Sequence, residues 1–569
     1  MTNPGLWLVG LAAMLCVAQA AGAQEARLPR REVPGLDFRR DGVWRKQARA
    51  VRATRALLLG QRRFGELNAP LAAGAPVPSP AAVAGTLDVP VVLLRYTGTT
   101  APPFAAADYD AVLFGATAPF GRPYTYHSFY SDLSNGLLDI QGASYGWTTL
   151  SGTEGAYNGG TSAECQQNNP YGTSNCNGVW SDAAFGALQG ALREALANID
   201  SQLDFSQFTY DAPTGIVSLV LFVHPTLGGE CGPGSANHLW AHRAWLFPGY
   251  VTNDPWPGHS GQFLQVQDYI FQSGLGGTDS CTGTDIMPIG TVAHETGHGF
   301  GLPDLYDVSG TTEAIGRWSL MGAGNYSSPF SPARMDAWSL NELGWVTLAP
   351  VTTAGAYSFG AAPASDSTFL VRPTGSNPRG EYFLLENRQA VQADTALIRN
   401  ACQVWYQDST PPPCSGGLLV YHVDSAQVAN GSSTNEVNSG AIHGVALVQA
   451  DGYGNLDANA NTNPCSNLAQ PPSGCADRGD AGDPFPGIIG NTTLALSTRP
   501  SLVLNTGACP GFSVDTISQL VPNGAMRFVV MFGGDSVTIA TTAQLPAGQW
   551  GYFYAAGLAA TCGTGSYAW

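Results

Sequence analysis

The segment Thr291–Asp307, TVAHETGHGFGLPDLYD, constrains the fold of this 569-residue chain more than any other feature. It contains the pattern H-E-x-x-H, formed by His294, Glu295 and His298. On a helix, two histidines four positions apart lie on one face, where both imidazoles can reach one zinc ion. Glu295 then lies beside the metal and can take a proton from an attacking water as a general base. The segment therefore predicts a helix that carries a zinc site of the catalytic type.

The residues that follow the helix extend this pattern. Gly301 lies three positions after His298, where the helix must end and the chain must turn, and glycine adopts such turns at little cost. Asp304 follows three positions later, so the full motif reads H-E-x-x-H-x-x-G-x-x-D. We expect the turn to bring Asp304 back to the metal as an oxygen ligand, in the place where metzincin peptidases usually have a third histidine.

A second short segment fits the same kind of site. Ser319-Leu320-Met321-Gly322 is typical of a Met-turn, a tight turn that places a methionine beneath the zinc. For Met321 alone, ordinary core packing is the alternative. The upstream motif favours the Met-turn.

Length and composition indicate more than one domain. Single hydrophobic cores stop growing at about 250–300 residues, so a chain of this length is expected to divide. With only 12% charged residues, 70 glycines and 39 prolines, strands and long loops are favoured over charged helical bundles. Apolar runs near Leu87 (VPVVLLRY) and at Ile216–His224 predict buried strands, and Ala183–Ile199 between them predicts an amphipathic helix. This order predicts a sheet with helices packed against it.

Charge is distributed unevenly along the chain. Residues 24–66 contain 12 basic and 5 acidic residues, whereas the whole chain has 25 basic and 42 acidic residues and a net charge of −17. Residues 67–569 therefore have a balance of −24 and lack the basic surface that phosphate backbones require, so we expect no nucleic-acid partner.

The N-terminal residues 1–23 predict a signal peptide. Leu6–Ala18 is a short apolar run, followed by the small residues Ala21-Gly22-Ala23, after which cleavage is expected. A membrane anchor is the weaker alternative, because a bilayer span needs about 20 apolar residues. We therefore expect a protein that is secreted to the periplasm or the medium and has no stable membrane insertion.

The basic segment and the Pro/Ala-rich linker that follows it, together residues 24–85, predict a propeptide that docks on the acidic body of the protein and inhibits it. A disordered basic tail is the alternative. Residues 24–85 contain no cysteine, which excludes inhibition by a thiolate bound to the zinc.

Ten cysteines remain once the one in the signal peptide is removed, and an even number in an exported chain predicts disulfide bonds. Bridges between sequence neighbours are the expected pairing, with the final cysteine joined to the nearest upstream one. The expected pairs are Cys165/Cys176, Cys402/Cys414, Cys465/Cys475 and Cys509/Cys562.

Residues from about 86 to 534 resemble the immune inhibitor A family of secreted bacterial zinc metallopeptidases, which is close to the metzincins in fold. The resemblance rests on several segments in the family's order: FYSDLSNGLLDIQGASYGW, HETGHGFGLPDLYD, GRWSLMGAGNYSSPFSPARMDAWSLNELGWV, GGLLVYHVD and RGDAGDPFPG. It implies an α/β (α+β) metzincin-like catalytic domain at 86–350, followed by a β-rich part at 351–534. Residues 535–569 resemble the opening strands of an Ig-like module that is incomplete.

Other candidate site residues have weaker support. Tyr326 and His242 could each donate a hydrogen bond to the oxyanion that develops during peptide hydrolysis, although buried tyrosines and histidines are often structural. In the segment ADRGDAGD, Asp477, Asp480 and Asp483 could bind calcium, and an exposed acidic turn is the alternative.

Together these features predict a secreted zinc-dependent endopeptidase that is made as a zymogen and cleaves extracellular proteins or peptides. One alternative is a secreted protein that binds protein or carbohydrate on an inactive, zinc-stabilised scaffold. Another is a zinc hydrolase that acts on a different bond. The intact Glu295 favours the peptidase, because a scaffold has no need of a general base.

Overall fold

The computed structural model of the chain describes residues 83–158, 182–229, 238–276, 284–325, 330–362, 367–406, 415–432, 435–458, 478–533, 538–539 and 560–561. The predicted signal peptide lies outside these residues, as do nearly all of the predicted Ig-like segment and all but the last three residues of the predicted propeptide and linker (24–85). Cys402 and Cys509 are described, whereas their predicted partners are not, so the disulfide pairing stays a prediction. No helix in the described part is long and apolar enough to cross a membrane.

A seven-stranded mixed sheet forms the first half of the described chain. Its strands are β1 (Gly85–Arg95), β2 (Leu138–Thr149), β3 (Tyr210–Asp211), β4 (Ile216–Val217), β5 (Val220–Leu227), β6 (His242–Pro255) and β7 (Phe263–Leu275). The order across the sheet is β2-β1-β5-β7-β4-β3, and β6 pairs with β7. Strands β2, β1, β5 and β7 are parallel, whereas β6 runs antiparallel to β7.

Both faces of this sheet are covered. Along β1, Val91 and Leu93 belong to one hydrophobic core, whereas Val92 and Leu94 belong to another. Successive side chains of a strand point to opposite faces, so a strand buried on both faces needs a continuous apolar run. This explains why VPVVLLRY lacks the alternating pattern of a half-exposed strand.

Eight α-helices are described: α1 (Ala106–Leu113), α2 (Tyr126–Leu133), α3 (Glu154–Asn158), α4 (Asp182–Ile199), α5 (Gly290–Gly299), α6 (Ala337–Glu342), α7 (Asp394–Tyr406) and α8 (Ser425–Gly431). Helix α4 agrees with the predicted helix to within one residue. Its apolar residues contribute to the core that contains Val92, whereas those of α2 and α5 contribute to the core that contains Val91. The mixed α/β architecture expected from the sequence is therefore confirmed.

The second predicted strand is divided in the structure. Ile216–His224 falls partly in β4 and partly in β5, and the two strands are separated at Ser218 and Leu219. The amide of Ser218 donates to the carbonyl of Thr209, at 2.8 Å, next to the β3–β4 pairing. An apolar run alone carries no signal for such a break, because it depends on a partner outside the run.

The second half of the chain is rich in strands. Five strands form a sheet with the order β13-β12-β11-β10-β8, and three antiparallel strands form another with the order β14-β15-β9. These strands are β8 (Thr347–Val351), β9 (Gly355–Phe359), β10 (Ser367–Val371), β11 (Tyr382–Arg388), β12 (Gly417–Val423), β13 (Val445–Leu447), β14 (Phe512–Gln519) and β15 (Met526–Phe532). Within the predicted Ig-like segment, β16 (Thr538–Ile539) pairs with β17 (Ala560–Thr561).

One hydrophobic core extends across the domain boundary predicted at residue 350. Val292 and Ala293 of α5 share this core with Trp338 of α6, Leu384 of β11 and Tyr421 of β12. The β-rich half therefore takes part in the core that holds the motif helix.

A buried charge network also joins the two halves. Arg388, whose side chain is fully buried, forms a two-point ion pair with Asp394: Nε lies 2.6 Å from Oδ2 and Nη2 lies 2.7 Å from Oδ1. Its Nη1 donates to the carbonyl of Trp318 at 3.3 Å. Guanidinium groups fit carboxylates in this two-point manner, and such pairs are stronger than neutral hydrogen bonds. Arg388 thus links β11 to the segment just before Met321.

We predict that Arg388→Met destabilises the full chain by about 3–5 kcal/mol, because the substitution leaves the buried carboxylate of Asp394 without its cation. The free energy of unfolding from urea denaturation measures this. Arg527→Met is the matched control, since Arg527 is exposed on β15 and its loss should change stability by less than about 0.5 kcal/mol. Equal stability of the two variants would show that the network contributes nothing.

Candidate metal centre

Helix α5 places the two motif histidines side by side. His294 and His298 are four positions apart, both are buried, and their ring centroids lie 4.8 Å from each other. The helix ends at Gly299, and Gly301 has a φ of 91°. That left-handed conformation suits glycine and disfavours other residues, so the glycine of the motif is explained by the turn that reverses the chain.

The turn brings Asp304 to the two histidines. Its Oδ1 lies 3.0 Å from Nε2 of His294 and 3.2 Å from Nε2 of His298. On the other side of each ring, Nδ1 donates to a backbone carbonyl: His294 to Leu320 at 2.7 Å and His298 to Leu302 at 2.9 Å. Because Nδ1 carries the donated proton, Nε2 of each ring faces the carboxylate, where it can carry a second proton or bind a metal ion.

These three side chains fit a zinc ion. One ligand atom from each of His294, His298 and Asp304 lies within 4.8 Å of the other two. Ligands at about 2.0–2.1 Å from a tetrahedral zinc ion are separated by about 3.3 Å, close to the two observed spacings. Two imidazole nitrogens and one carboxylate oxygen are also a common donor set in catalytic zinc sites, which keep a fourth position open.

Asn435 holds the carboxylate of Asp304 in place. Its amide nitrogen donates to Asp304 Oδ2 at 2.6 Å, and its amide oxygen accepts from the backbone N–H of Asp304 at 2.8 Å. With Oδ2 held in this way, Oδ1 faces the histidines. Asn435 lies 131 residues downstream, in the β-rich half, and has a φ of 59°. The sequence carried no signal for this role, because asparagine in a turn is common and the contact depends on the tertiary fold.

Electrostatics favour a charged Asp304. Burial acts to raise the pKa of Asp304, but the nearby charge of His298 and the hydrogen bonds of both histidines outweigh burial and hold the pKa below its usual range. Burial acts to lower the pKa of His294, whereas its hydrogen bond to Asp304 and the carboxylate charge raise that pKa to about 9. The carboxylate therefore attracts positive charge to the two Nε2 atoms, whether as a proton or as a metal ion that competes with it.

Glu295 is buried beside this centre, and only 6% of its surface is exposed. Among the described residues, none forms a hydrogen bond with its Oε2. Burial raises the pKa of Glu295, and the neighbouring His298 and His294 oppose that effect. A buried carboxylate oxygen without a partner costs about 1–3 kcal/mol or more, and such groups are concentrated at functional sites.

Met321 lies in the turn beneath the histidines. Leu320–Gly324 form a tight helical turn in which the Met321 side chain is fully buried. A Cβ atom at Gly297, on α5, would overlap the sulfur of Met321. Glycine inside the H-E-x-x-H helix thus leaves room for the methionine, and the assignment of a Met-turn stays a prediction. Leu320, just before Met321, provides the carbonyl that orients His294.

The other candidates from the sequence lie elsewhere. His242 lies at the start of β6, where Nδ1 donates to the carbonyl of Trp240 and the ring stacks on Phe271. None of its described contacts is with His294 or Glu295, and burial lowers its pKa to about 4. A packing role in the sheet explains these contacts. Tyr326 lies outside the described residues.

The structure groups a different set of aspartates from the one predicted as a calcium site. Asp477 lies outside the described residues, whereas Asp480 and Asp483 are fully buried and lie beside Asp451 in a second cluster. The alternative of an exposed acidic turn is therefore wrong for these two residues. Asp451 lies about 30 positions upstream, and no spacing in the sequence connects it with the others.

Two further residues beside the centre were not predicted. The ring of Tyr306 stacks near that of His294, with centroids 6.3 Å apart. Arg243 of β6 forms a buried ion pair with Asp268 of β7, and a Cβ atom at Gly299 would overlap its guanidinium. The edge strand β6 therefore approaches the end of α5 closely. Tyr306 lies within the motif segment Thr291–Asp307, so its place in the sequence could have indicated that it lies near the centre.

Part of the chain is similar to known metallopeptidases. Residues 99–347 match the model of the immune inhibitor A peptidase M6 catalytic domain. Pre-pro-metalloprotease PrtV of Vibrio cholerae serotype O1 is 28% identical over 254 residues, covering 42% of this chain and 25% of that protein. Immune inhibitor A of Bacillus thuringiensis subsp. alesti is 27% identical over 252 residues, covering 39% and 32%. The chain thus spans about a quarter to a third of the length of these curated relatives. The resemblance inferred from the motifs is confirmed.

We predict that Asn435→Gly weakens zinc binding about 10–100-fold, because Asp304 loses the amide that orients its carboxylate. Glycine keeps the left-handed backbone available, so the substitution tests the amide rather than the turn. Competition with a chromogenic chelator measures the affinity. Asn523→Gly is the matched control, since Asn523 is also left-handed, with a φ of 52°, but exposed. Unchanged zinc affinity in Asn435→Gly would contradict the assigned role.

Proposed function

We propose that the protein is a secreted zinc-dependent endopeptidase acting on extracellular proteins and peptides, because residues 99–347 match the immune inhibitor A peptidase M6 catalytic domain. One observation carries this proposal: the ligand atoms of His294, His298 and Asp304 converge directly beside the buried Glu295. A metal site and a general base at adjacent positions are the two components that metal-assisted hydrolysis requires.

His294, His298 and Asp304 would hold the zinc. Zinc, when bound, acts as a Lewis acid that polarises a scissile carbonyl and makes a water molecule more acidic. Glu295 takes the proton of the attacking water at its unpartnered Oε2 and later delivers that proton to the nitrogen of the leaving amine. The attack adds the water oxygen to the carbonyl carbon, and the C–N bond breaks as the amine leaves.

The surrounding residues set this geometry before substrate arrives. The carbonyls of Leu320 and Leu302 fix both imidazole rings, and Asn435 fixes Asp304. Groups that are held in place need no reorganisation during the reaction, and this preorganisation is a large part of enzymatic rate enhancement.

The alternative of an inactive, zinc-stabilised binding protein has less support. A scaffold gains nothing from Glu295, because a buried carboxylate oxygen without a partner lowers stability. A glutamine or a leucine at this position would serve a purely structural metal site better. The presence of glutamate therefore favours hydrolysis.

We predict that Glu295→Gln lowers kcat/KM for casein at least about 10²–10⁴-fold while zinc remains bound, since an amide cannot take the proton. Proteolysis of casein and the zinc content of the same sample measure the two effects. Glu342→Gln, at the end of α6, is the control and should retain activity. Full activity of Glu295→Gln would disprove the mechanism.

Chelation with 1,10-phenanthroline should abolish the parent's activity, and zinc should restore it.

We further propose that residues 1–23 direct secretion and that residues 24–85 form an inhibitory propeptide. The opposite charges support docking, because residues 24–66 carry a balance of +7 and residues 67–569 a balance of −24. N-terminal sequencing of secreted protein should find a start at residue 24 in inert precursor and near residue 86 in active protein. Full activity of a form that begins at residue 24 would exclude inhibition by the propeptide.

A further inference from the structure

A second buried cluster of carboxylates lies in the β-rich half, apart from the candidate zinc centre. One side-chain oxygen from each of Asp451, Asp480 and Asp483 lies within 4.8 Å of the other two. Asp480 and Asp483 are fully buried, and Asp451 is 9% exposed. Three carboxylates removed from water at such short distances repel one another strongly, so this arrangement needs a source of positive charge.

Hydrogen bonds satisfy only part of the cluster. Oδ2 of Asp483 accepts from the indole N–H of Trp318 and from the amide of Asp480, both at 2.8 Å, and Oδ1 of Asp451 accepts from the amide of Tyr453 at 2.9 Å. The second oxygens, Oδ1 of Asp483 and Oδ2 of Asp451, have no hydrogen-bond partner among the described residues. Buried carboxylate oxygens are normally satisfied by donors or by a cation.

Among the described residues, no basic side chain forms an ion pair with Asp451 or Asp483, although the nearby charge of Arg499 acts, against burial, to lower the pKa of Asp451. Arg478, next to the cluster, pairs with Glu313 at 3.1 Å, and Arg499 donates to the carbonyl of Gly452. Burial, followed by the charges of Asp480 and Asp451, raises the pKa of Asp483 well above its usual range. Without an added cation, the repulsion among these carboxylates therefore lowers the stability of the fold.

We propose that Asp451, Asp480 and Asp483 bind a structural calcium ion. Calcium is a hard cation that takes six to eight oxygen ligands, and every donor of this cluster is an oxygen. Zinc prefers imidazole and thiolate ligands, which the cluster lacks among its described residues. Magnesium demands a near-ideal octahedron and keeps much of its own water, so a buried set of three carboxylates suits it less well.

The calcium site would also support the turn beneath the zinc centre. Trp318, which donates to Asp483, lies three residues before Met321, and its carbonyl accepts from the buried Arg388. A Cβ atom at Gly479 would approach the indole nitrogen of Trp318 to 2.6 Å, so glycine is needed where this loop meets the turn. Occupation of the site therefore fixes the loop against the segment that orients His294.

Calcium titration of the full chain tests the proposal. The Glu295→Gln form is used throughout to prevent self-digestion, so the result does not depend on whether the proposed peptidase activity is correct. After treatment with EGTA, added calcium should raise the thermal unfolding midpoint, and magnesium at the same concentration should not. No calcium-dependent shift in the midpoint would overturn the proposal.

Variants locate the site. Asp451→Asn and Asp483→Asn should each weaken calcium binding, measured by isothermal titration calorimetry, at least about tenfold, whereas Asp515→Asn, a control on β14, should bind like the parent. In EGTA the two cluster variants should unfold at a higher temperature than the parent, because each removes one of three repelling charges. A purely structural role for the carboxylates, with no cation, predicts lower midpoints and unchanged calcium binding.

Terbium gives an independent measurement on the unsubstituted cluster. Trp318 lies against Asp483, so terbium bound in the cluster should luminesce when tryptophan is excited, and calcium should displace it. Luminescence that calcium does not displace, or that persists unchanged in Asp483→Asn, would place the bound ion elsewhere and disprove the assignment.

Discussion

The position of Asp304 is the constraint on which the rest of this structure depends. A fully buried carboxylate is stabilised by partners on both oxygens, and the two oxygens of Asp304 face different parts of the chain. Oδ1 faces the histidines of the motif helix, whereas Oδ2 accepts from Asn435 of the β-rich half. Hydrogen bonds to buried charged groups contribute about 1.5–3 kcal/mol each, so a shift of either half would leave a charge unsatisfied. The candidate metal centre thus depends on contacts from two regions that the sequence suggested were separate domains.

The turn from Trp318 to Met321 connects most of the buried polar groups in this region. Its backbone carbonyls accept from His294 and from Arg388, and the indole of Trp318 donates to Asp483. The Ser319 hydroxyl accepts from the amide of Met321 and donates to Asp336 at 2.6 Å. Preorganisation of the histidines therefore comes from the core of both halves.

Local pattern was sufficient to predict the helix and the turn that carry the candidate centre. The H-E-x-x-H spacing placed His294 and His298 on one helix face, and Gly301 marked the left-handed turn that returns Asp304. The apolar run near Leu87 and the helix beginning at Asp182 also followed from local pattern. Long-range contacts were beyond reach: Asn435 reaches Asp304 across 131 residues, and Asp451 joins Asp483 through the fold. His242 illustrates the converse. The sequence made it a candidate for the site, but in the fold its ring packs against Phe271 in the sheet.

By itself, the sequence predicted the donor groups of the candidate centre, because residue type, residue spacing and the glycine turn are all properties of one continuous segment, Thr291–Asp307. It also determined the mixed α/β class, since buried strands and amphipathic helices have different periods. Only the tertiary structure decided what holds the centre in place: the Asn435 amide, the Arg388 network and the second carboxylate cluster. Each of these joins residues far apart in the chain, and burial, which makes such contacts strong, exists only once the chain has folded.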